Sequence, residues 1–443
     1  MNEKQFKNIN VKSILKFTMP TIIMMVFMSI YQMVDAVFVS NLVGTDALSA
    51  VNIAFPPISF VIGVSIMLGS GGSAIIGKSM GEGKYDRARS LFSLIVFVGI
   101  GLGVIIAILG YVFLDNIVWA MGSDEALYQY CYDYLLGLVF FTPLAVLQML
   151  FSCFFPAAGK PNLGLFVVVL GGLSNIFFDY FFMGVLKVGV IGASFGTGIG
   201  YSIPAIFGMI YFSVCRKGTL YFVKPKWEGR TLLRACLNGS SEMVTNCAAA
   251  VTTFLFNYMM MKFLGSDGVA AITVALYVQF FLSSVYMGYS GGVAPIISYK
   301  YGSQDIPALK KIIKISIGFV FVNSIIWFAI SYFLKNELIG IFSMPGTPVW
   351  DIADAGWMLF IPAFLITGFN IFASSMFTAL SNGLVSALIS FLRTFGFLVA
   401  SILLLPLVFD VNGVWLSIPV AELCTLVVSV ICFFKQRKRY KYL

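Results

Sequence analysis

The sequence predicts an all-α integral membrane protein with twelve transmembrane helices in two six-helix halves. Three observations carry that prediction. Of the 443 residues, 59% are hydrophobic and only 11% charged, against roughly 25% charged in a soluble domain. The apolar residues gather into runs of the length that one bilayer-crossing helix needs, about 20 residues. The second half of the chain also echoes short motifs of the first at an offset of about 220 residues.

Twelve runs qualify, at about 14–40, 48–72, 90–113, 131–156, 163–185, 189–213, 235–262, 269–298, 311–334, 356–380, 384–407 and 413–434. Each is expected to be helical, because a single segment in hydrocarbon satisfies its own backbone groups only as a helix. The first run continues past Lys16 and Pro20 without a small-residue cleavage pattern. It is too long for a signal-peptide core and reads as an uncleaved span.

An even number of spans puts both ends of the chain on one side, and basic residues say which. Most of the 28 Lys and Arg residues fall in the N-terminal segment, the 2–3, 4–5 and 8–9 loops, the 6–7 connector and the tail. The opposite side holds Lys187, Lys262 and Lys335, and Arg393 lies within a span. The positive-inside rule then places both termini in the cytoplasm.

The repeat is seen in four matches, in order. Gly44-Thr45-Asp46-Ala47-Leu48-Ser49-Ala50 echoes Gly265-Ser266-Asp267-Gly268-Val269-Ala270-Ala271, and Ser70-Gly71-Gly72 echoes Ser290-Gly291-Gly292. The loop from Gly81 to Arg89 echoes that from Gly302 to Lys311, and Met121-Gly122 falls near Met344-Pro345-Gly346. Six spans per half give the repeats the same orientation, related by an axis along the membrane normal, with a cavity between them. The expected division is an N-lobe over 1–213, a basic cytoplasmic connector over 214–234, and a C-lobe with a basic tail over 235–443. The Lys224 to Arg234 part of the connector is expected at the inner surface among anionic lipids.

Composition also excludes chemistry. The chain has no His, which removes Ser-His-Asp catalysis, His metal sites and His proton relays. Its seven cysteines form no CxxC pair and read as free thiols packed as small hydrophobes. The net charge of +9 comes from loops, so no nucleic-acid partner is expected. The stretch from Gly69 to Gly77 lacks the GK[ST] ending of a phosphate loop and reads as small residues that let helices approach closely. No nucleophile–base pair or metal cluster is visible, so neither an enzyme nor a cofactor is expected.

Asp35 and Asp179 point to function. Each lies deep inside an apolar run with no counter-charge near it, Lys16 standing at the far end of the first run. An ionised carboxylate in hydrocarbon costs several kcal/mol, so such residues usually face a cavity and act there. The natural partner is a mobile cation: a proton, Na⁺ or a cationic substrate. A rise of 1.5 Å per residue puts Asp35, Asp179 and Thr197 roughly 7–12 Å below the outer boundary. Tyr31 and Asp35 share a helical face at i, i+4, as do Asn175 and Asp179. Hard oxygen ligands suit Na⁺, and two acids brought close would equally share a proton.

The acids are not duplicated. At the repeat offset, Asp35 falls near Phe256 and Asp179 near Ile402. The second half instead offers Glu242 beside Asn246, and Arg393 and Glu422 near the midplane of one helical hairpin. Arg393 and Glu422 are expected to form a neutralising ion pair. Glu242 is open as a substrate contact, a second protonation site or a water-facing polar residue.

Taken in order, these features resemble the multidrug and toxic compound extrusion (MATE) family, in particular its bacterial drug-efflux branch. The likeness runs from Leu15 to Phe434. Pro20, Tyr31-Gln32-Met33-Val34-Asp35, Gly44 to Ala50, Gly81-Glu82-Gly83, Ala158-Gly159-Lys160-Pro161, Asn175-Ile176-Phe177-Phe178-Asp179 and Gly192 to Gly198 carry it. The resemblance implies two lobes in a V and alternating access in a bacterial plasma membrane. It implies export of organic cations by a monomer against inward Na⁺ or H⁺ flow. It also implies that Asp35, Asn175, Asp179 and Thr197 form the coupling site and that span 1 bends at Pro20. Glu242 matches one of the second-lobe carboxylates found in some relatives, but the tenth span offers only Asn370. The alternative is a lipid-linked saccharide flippase of related architecture. That function calls for several cavity-facing Arg or Lys residues for pyrophosphate, and only Arg393 is available. A channel is disfavoured by the single asymmetric acid site.

Overall fold

A computed structural model describes residues 9–442, and all regular structure among them is helical. The first six crossings are α1 (Val11–Val43), α2 (Phe55–Gly81), α3 (Tyr85–Val112), α4 (Glu125–Ala157), α5 (Pro161–Val185) and α6 (Ile191–Val214). The run Gly229–Gly302 holds two crossings, because Gly265 breaks it with φ 65° and ψ −155°. We label them α7, before Gly265, and α8, after it. The last four are α9 (Ile306–Phe333), α10 (Pro348–Ala379), α11 (Gly383–Leu404) and α12 (Pro406–Tyr440). Each of the twelve expected spans corresponds to one of these helices.

The boundaries differ from the hydropathy reading for a physical reason. The second span, expected at 48–72, is a short helix Thr45–Ile53 followed by α2, Phe55–Gly81. Hydropathy merged the short helix into the span and then stopped at the small polar residues. The backbone ladder continues through those residues because they are buried against other helices. Elsewhere α3, α4, α10 and α12 extend beyond their apolar cores, since helical hydrogen bonding does not stop where hydrophobicity does. Side chains mark several true starts. Asn10 accepts from the Ser13 amide in a capping box at α1, and Asp124 accepts from the Leu127 amide at 2.9 Å at α4. Such caps are each worth about 1 kcal/mol.

The repeat is written into the backbone. Gly44 and Gly265, matched by motif, both have positive φ (134° and 65°), as do Gly122 and Gly346 (84° and 83°). Short helices Leu114–Ala120 and Lys335–Gly340 sit at corresponding places after α3 and α9. The two halves lean together at the end that carries the chain termini, like the arms of a V. There α2 meets α7 and α8 backbone to backbone. A Cβ at Gly71 would lie 1.9 Å from the Ala235 carbonyl oxygen, and one at Gly239 would lie 2.0 Å from that of Met67. Nearer the end, Gly81 and Gly302 are equally tight against the Tyr299 and Lys78 carbonyls (2.1 and 2.2 Å). Small residues permit this approach, as the 69–77 stretch predicted.

The connector between the halves is held against the first half. The amides of Val223 and Lys226 donate to Ser93 and Ser90 of α3 at 3.0 and 2.9 Å. Phe222 stacks on Phe92 at 5.1 Å, and the Arg89 guanidinium covers Tyr221 at 4.4 Å. Helix α7 starts at Gly229, so Arg230 and Arg234 belong to its first turns rather than to an extended linker. Arg87 of α3 donates to Glu228, just before α7, at 2.8 Å. That contact holds the Glu228 carboxyl below the usual glutamate range.

Candidate functional site

Three helices assemble the acidic cluster. Helix α1 carries Tyr31 and Asp35, α5 carries Asn175 and Asp179, and α6 carries Thr197. The Asn175 Nδ2 donates to Asp179 Oδ2 at 2.8 Å and faces Thr197 Oγ1 at 3.4 Å. The carboxyls of Asp35 and Asp179 lie within hydrogen-bonding reach of each other across the α1–α5 boundary. Asp179 is 0% exposed. Helix α6 can cover it because Gly196 has no side chain: a Cβ there would meet Asp179 Oδ1 at 1.9 Å. The five residues named from the sequence, Tyr31, Asp35, Asn175, Asp179 and Thr197, thus lie together in space, with Tyr31, Asn175 and Thr197 lining one small cavity.

Both acid-bearing helices change hydrogen-bond pattern beside their acids. Helix α1 ends in the wide π turns Val39–Val43, four residues beyond Asp35, and α5 passes into π turns at Tyr180–Val185 directly after Asp179. Such turns are rare and frequent at functional sites.

The site has unused acceptors. Asp35 Oδ1, Asp179 Oδ1, Asn175 Oδ1 and Gln148 Oε1 are buried without a hydrogen-bond partner. Among the described residues no Lys or Arg forms an ion pair with either acid. A cavity of about 10 Å³ between Tyr31, Gln148, Asn175, Thr197 and Tyr201 approaches the least space that holds one water-sized body, about 10–15 Å³. Two facing carboxyls with spare oxygens and no fixed positive charge form a donor set that fits a proton or a small hard cation.

Sequence reasoning missed Gln148 of α4, which reaches the Tyr31 hydroxyl, and Tyr201 of α6. Tyr201 had a signal, being i+4 from Thr197 on the same helical face. Gln148 is an amide within the apolar stretch of α4. Its depth matches the site only once the helices are packed.

The second half is chemically different. Arg393, in the π turns Leu392–Gly396 of α11, directs Nε and Nη2 to Glu422 Oε1 at 2.9 Å each. Asn370 Nδ2 donates to Glu422 Oε2 at 2.7 Å, and Ser429 Oγ donates to Asn370 Oδ1 at 2.9 Å. The expected ion pair is present, and its carboxylate is fully engaged. Glu242 and Asn246 are not joined through the carboxylate, since Asn246 Nδ2 donates to the Glu242 backbone carbonyl at 2.9 Å. Glu242 makes no ion pair within 4.0 Å among the described residues. The four second-lobe candidates are thus a committed pair, Arg393 with Glu422, and a separate acid with its neighbour.

The family model MatE matches residues 20–181 and 243–403, one segment in each half. The chain belongs to the MatE family. The first matched segment contains Pro20 and four of the five cluster residues, and the second contains Asn246 and Arg393. The chain is 23% identical over 439 residues to the multidrug export protein MepA of Staphylococcus saprophyticus, covering 95% of this chain and 93% of that one. It is 22% identical over 428 residues to MepA of Staphylococcus aureus, with the same coverages. Its fold matches that of a MATE protein crystallised in complex with MaL6, with a TM-score of 0.92 at 20% identity over 100% of this chain and 99% of the other. It also matches an outward-facing multidrug resistance MATE family transporter, with a TM-score of 0.90 at 20% identity over 99% and 97%. The MatE fold is thus present over its full length, with twelve apolar helices crossing the membrane.

Proposed function

We propose that this MatE-family chain is a secondary antiporter that exports cationic, amphipathic organic compounds in exchange for H⁺ or Na⁺. The observation that carries this reading is the Asp35–Asp179 pair. Its two acids face each other in a buried site, with oxygens left over and no fixed cation. Such a site is completed only by a visiting positive charge. The export role named for the MepA relatives agrees with it.

In the proposed cycle, the coupling cation binds Asp35 and Asp179, with Asn175, Thr197 and Tyr31 orienting the carboxyls. Ion binding repacks α1, whose ladder is already interrupted at Pro20 because proline supplies no N–H. The affinity for the cationic substrate falls as a result. By linkage, substrate binding weakens ion binding by the same factor. The halves then rock about the glycine-rich contact of α2 with α7 and α8. With the basic loops and both termini in the cytoplasm of a bacterial cell, that contact seals the cytoplasmic side, and the state described is outward-facing. The protein works as a monomer in the plasma membrane. Arg393 is bound to Glu422 and is not free to grip a pyrophosphate, which weighs against a flippase.

The test is efflux of a fluorescent organic cation from proteoliposomes with ΔpH and ΔNa⁺ imposed separately. One of the two gradients should drive efflux in the wild type and fail to do so in Asp35→Asn. Efflux that ignores both gradients would refute antiport.

A further inference from the structure

We propose that the groove between the first turns of α1 and the start of α5 is a binding site for an anionic phospholipid of the leaflet on the termini side. The groove is open on its outer side and offers about 760 Å³ along the two helices. Lys12 and Lys16, spaced i, i+4, line one end. Leu15, Met19 and Ile23 of α1 and Leu165 of α5 form apolar walls. Met19 and Ile23 are 45% and 46% exposed, so these walls face the acyl chains of the bilayer.

Charge and length together choose the occupant. Lys12 and Lys16 form no ion pair with any acid among the described residues, so the polar end asks for an anion. It repels the organic cations proposed as substrates. From Lys12 to Ile23 the helix rises roughly 17 Å. One leaflet contributes about half of a 30 Å hydrocarbon core. A phosphate held by the lysines at the interface therefore leaves an acyl chain lying along Leu15, Met19 and Ile23 to the leaflet's end. A free anion would leave the apolar walls uncovered, and a zwitterionic lipid would bring its own cation to the lysines. Pro20 also lines the groove and leaves the Lys16 carbonyl without its helical donor. The lipid thus lies along α1 where its ladder is interrupted, on the helix that carries Asp35.

Native mass spectrometry of the full chain, with equimolar phosphatidylglycerol and phosphatidylcholine of identical acyl chains, tests the site. Each lysine near a membrane surface favours an anionic lipid about 5-fold, so the pair should give roughly 30-fold preference for one retained phosphatidylglycerol. Lys12→Gln with Lys16→Gln should abolish the preference, and the double Arg variant should keep it. Ile23→Trp, which fills the apolar end with both lysines intact, should also displace the lipid. Thermal melting of each variant verifies folding. Equal retention of the two lipids by the wild type would overturn the proposal. So would undiminished phosphatidylglycerol on the double Gln variant, or displacement by free glycerol 3-phosphate at the concentration of the lipid.

Discussion

Asp35 of α1 and Asp179 of α5 present their carboxyls to each other, while Asn175 Nδ2 donates to Asp179 Oδ2 at 2.8 Å. One oxygen of each acid stays buried and unpartnered. The arrangement accounts for two acids on separate helices in a region that otherwise excludes charge. Two ionised carboxyls so placed repel, and a cation between them would join α1 to α5.

Neutralising either acid should therefore uncouple the protein without unfolding it. Asp35→Asn and Asp179→Asn should each lower resistance to cationic compounds at least 10-fold, to the level of cells lacking the protein. Membrane abundance on immunoblots should be unchanged. Full resistance in both variants would contradict the assigned role.

The Arg393–Glu422 pair should behave as structure rather than as a coupling site. Arg393→Gln leaves a buried carboxylate with one of its partners gone, and breaking such a pair costs about 3–5 kcal/mol. Replacing both residues by apolar ones of similar volume should restore most of the stability, because apolar replacements of buried pairs are often neutral. Thermal melting of the single and double variants checks this.

The backbone contact of α2 with α7 should be sensitive to one added side chain. Gly71→Leu forces the helices apart where a Cβ would already meet the Ala235 carbonyl at 1.9 Å. Hydrogen exchange in α2 and α7 should rise and transport should fall. Gly101→Leu is the control, since nothing lies within 4 Å of a Cβ built there. Equal exchange in the two variants would show that the contact is not a seal.

The Arg87–Glu228 contact predicts a modest pH effect. Glu228 is held below the usual glutamate range by its hydrogen bonds with Arg87. A lowered carboxyl pKa contributes stability above the unfolded value, and that contribution is lost as pH falls through the folded value. Both side chains are partly exposed, Arg87 at 43% and Glu228 at 28%, so solvent screening keeps the contribution at neutral pH below about 1 kcal/mol. The melting difference between wild type and Glu228→Gln should be present at neutral pH and vanish on acidification through the carboxylate range.

Much of this molecule was legible because the bilayer enforces simple rules. Span length and the requirement to satisfy every backbone group gave twelve helices. Helical rise placed Asp35, Asp179 and Thr197 at one depth before any packing was known. Hydropathy could not locate the start of α2, because it is set by backbone geometry rather than polarity, whereas the gap between the runs 235–262 and 269–298 does hold the break at Gly265. Gln148 was hidden because its relation to Tyr31 depends on how α4 rotates against α1. The Asn370–Glu422 bond at 2.7 Å likewise joins residues far apart in sequence, and nothing local to either one announces it.

If the paired acids receive a mobile cation, that cation can be counted. Purified protein should be titrated with ²²Na⁺, and proton uptake followed in parallel, with and without a cationic substrate. About one ion of a single kind should bind per chain, be displaced by substrate, and be lost in Asp35→Asn and Asp179→Asn. Binding that persists in both variants, or no binding of either ion to the wild type, would contradict cation binding by the pair.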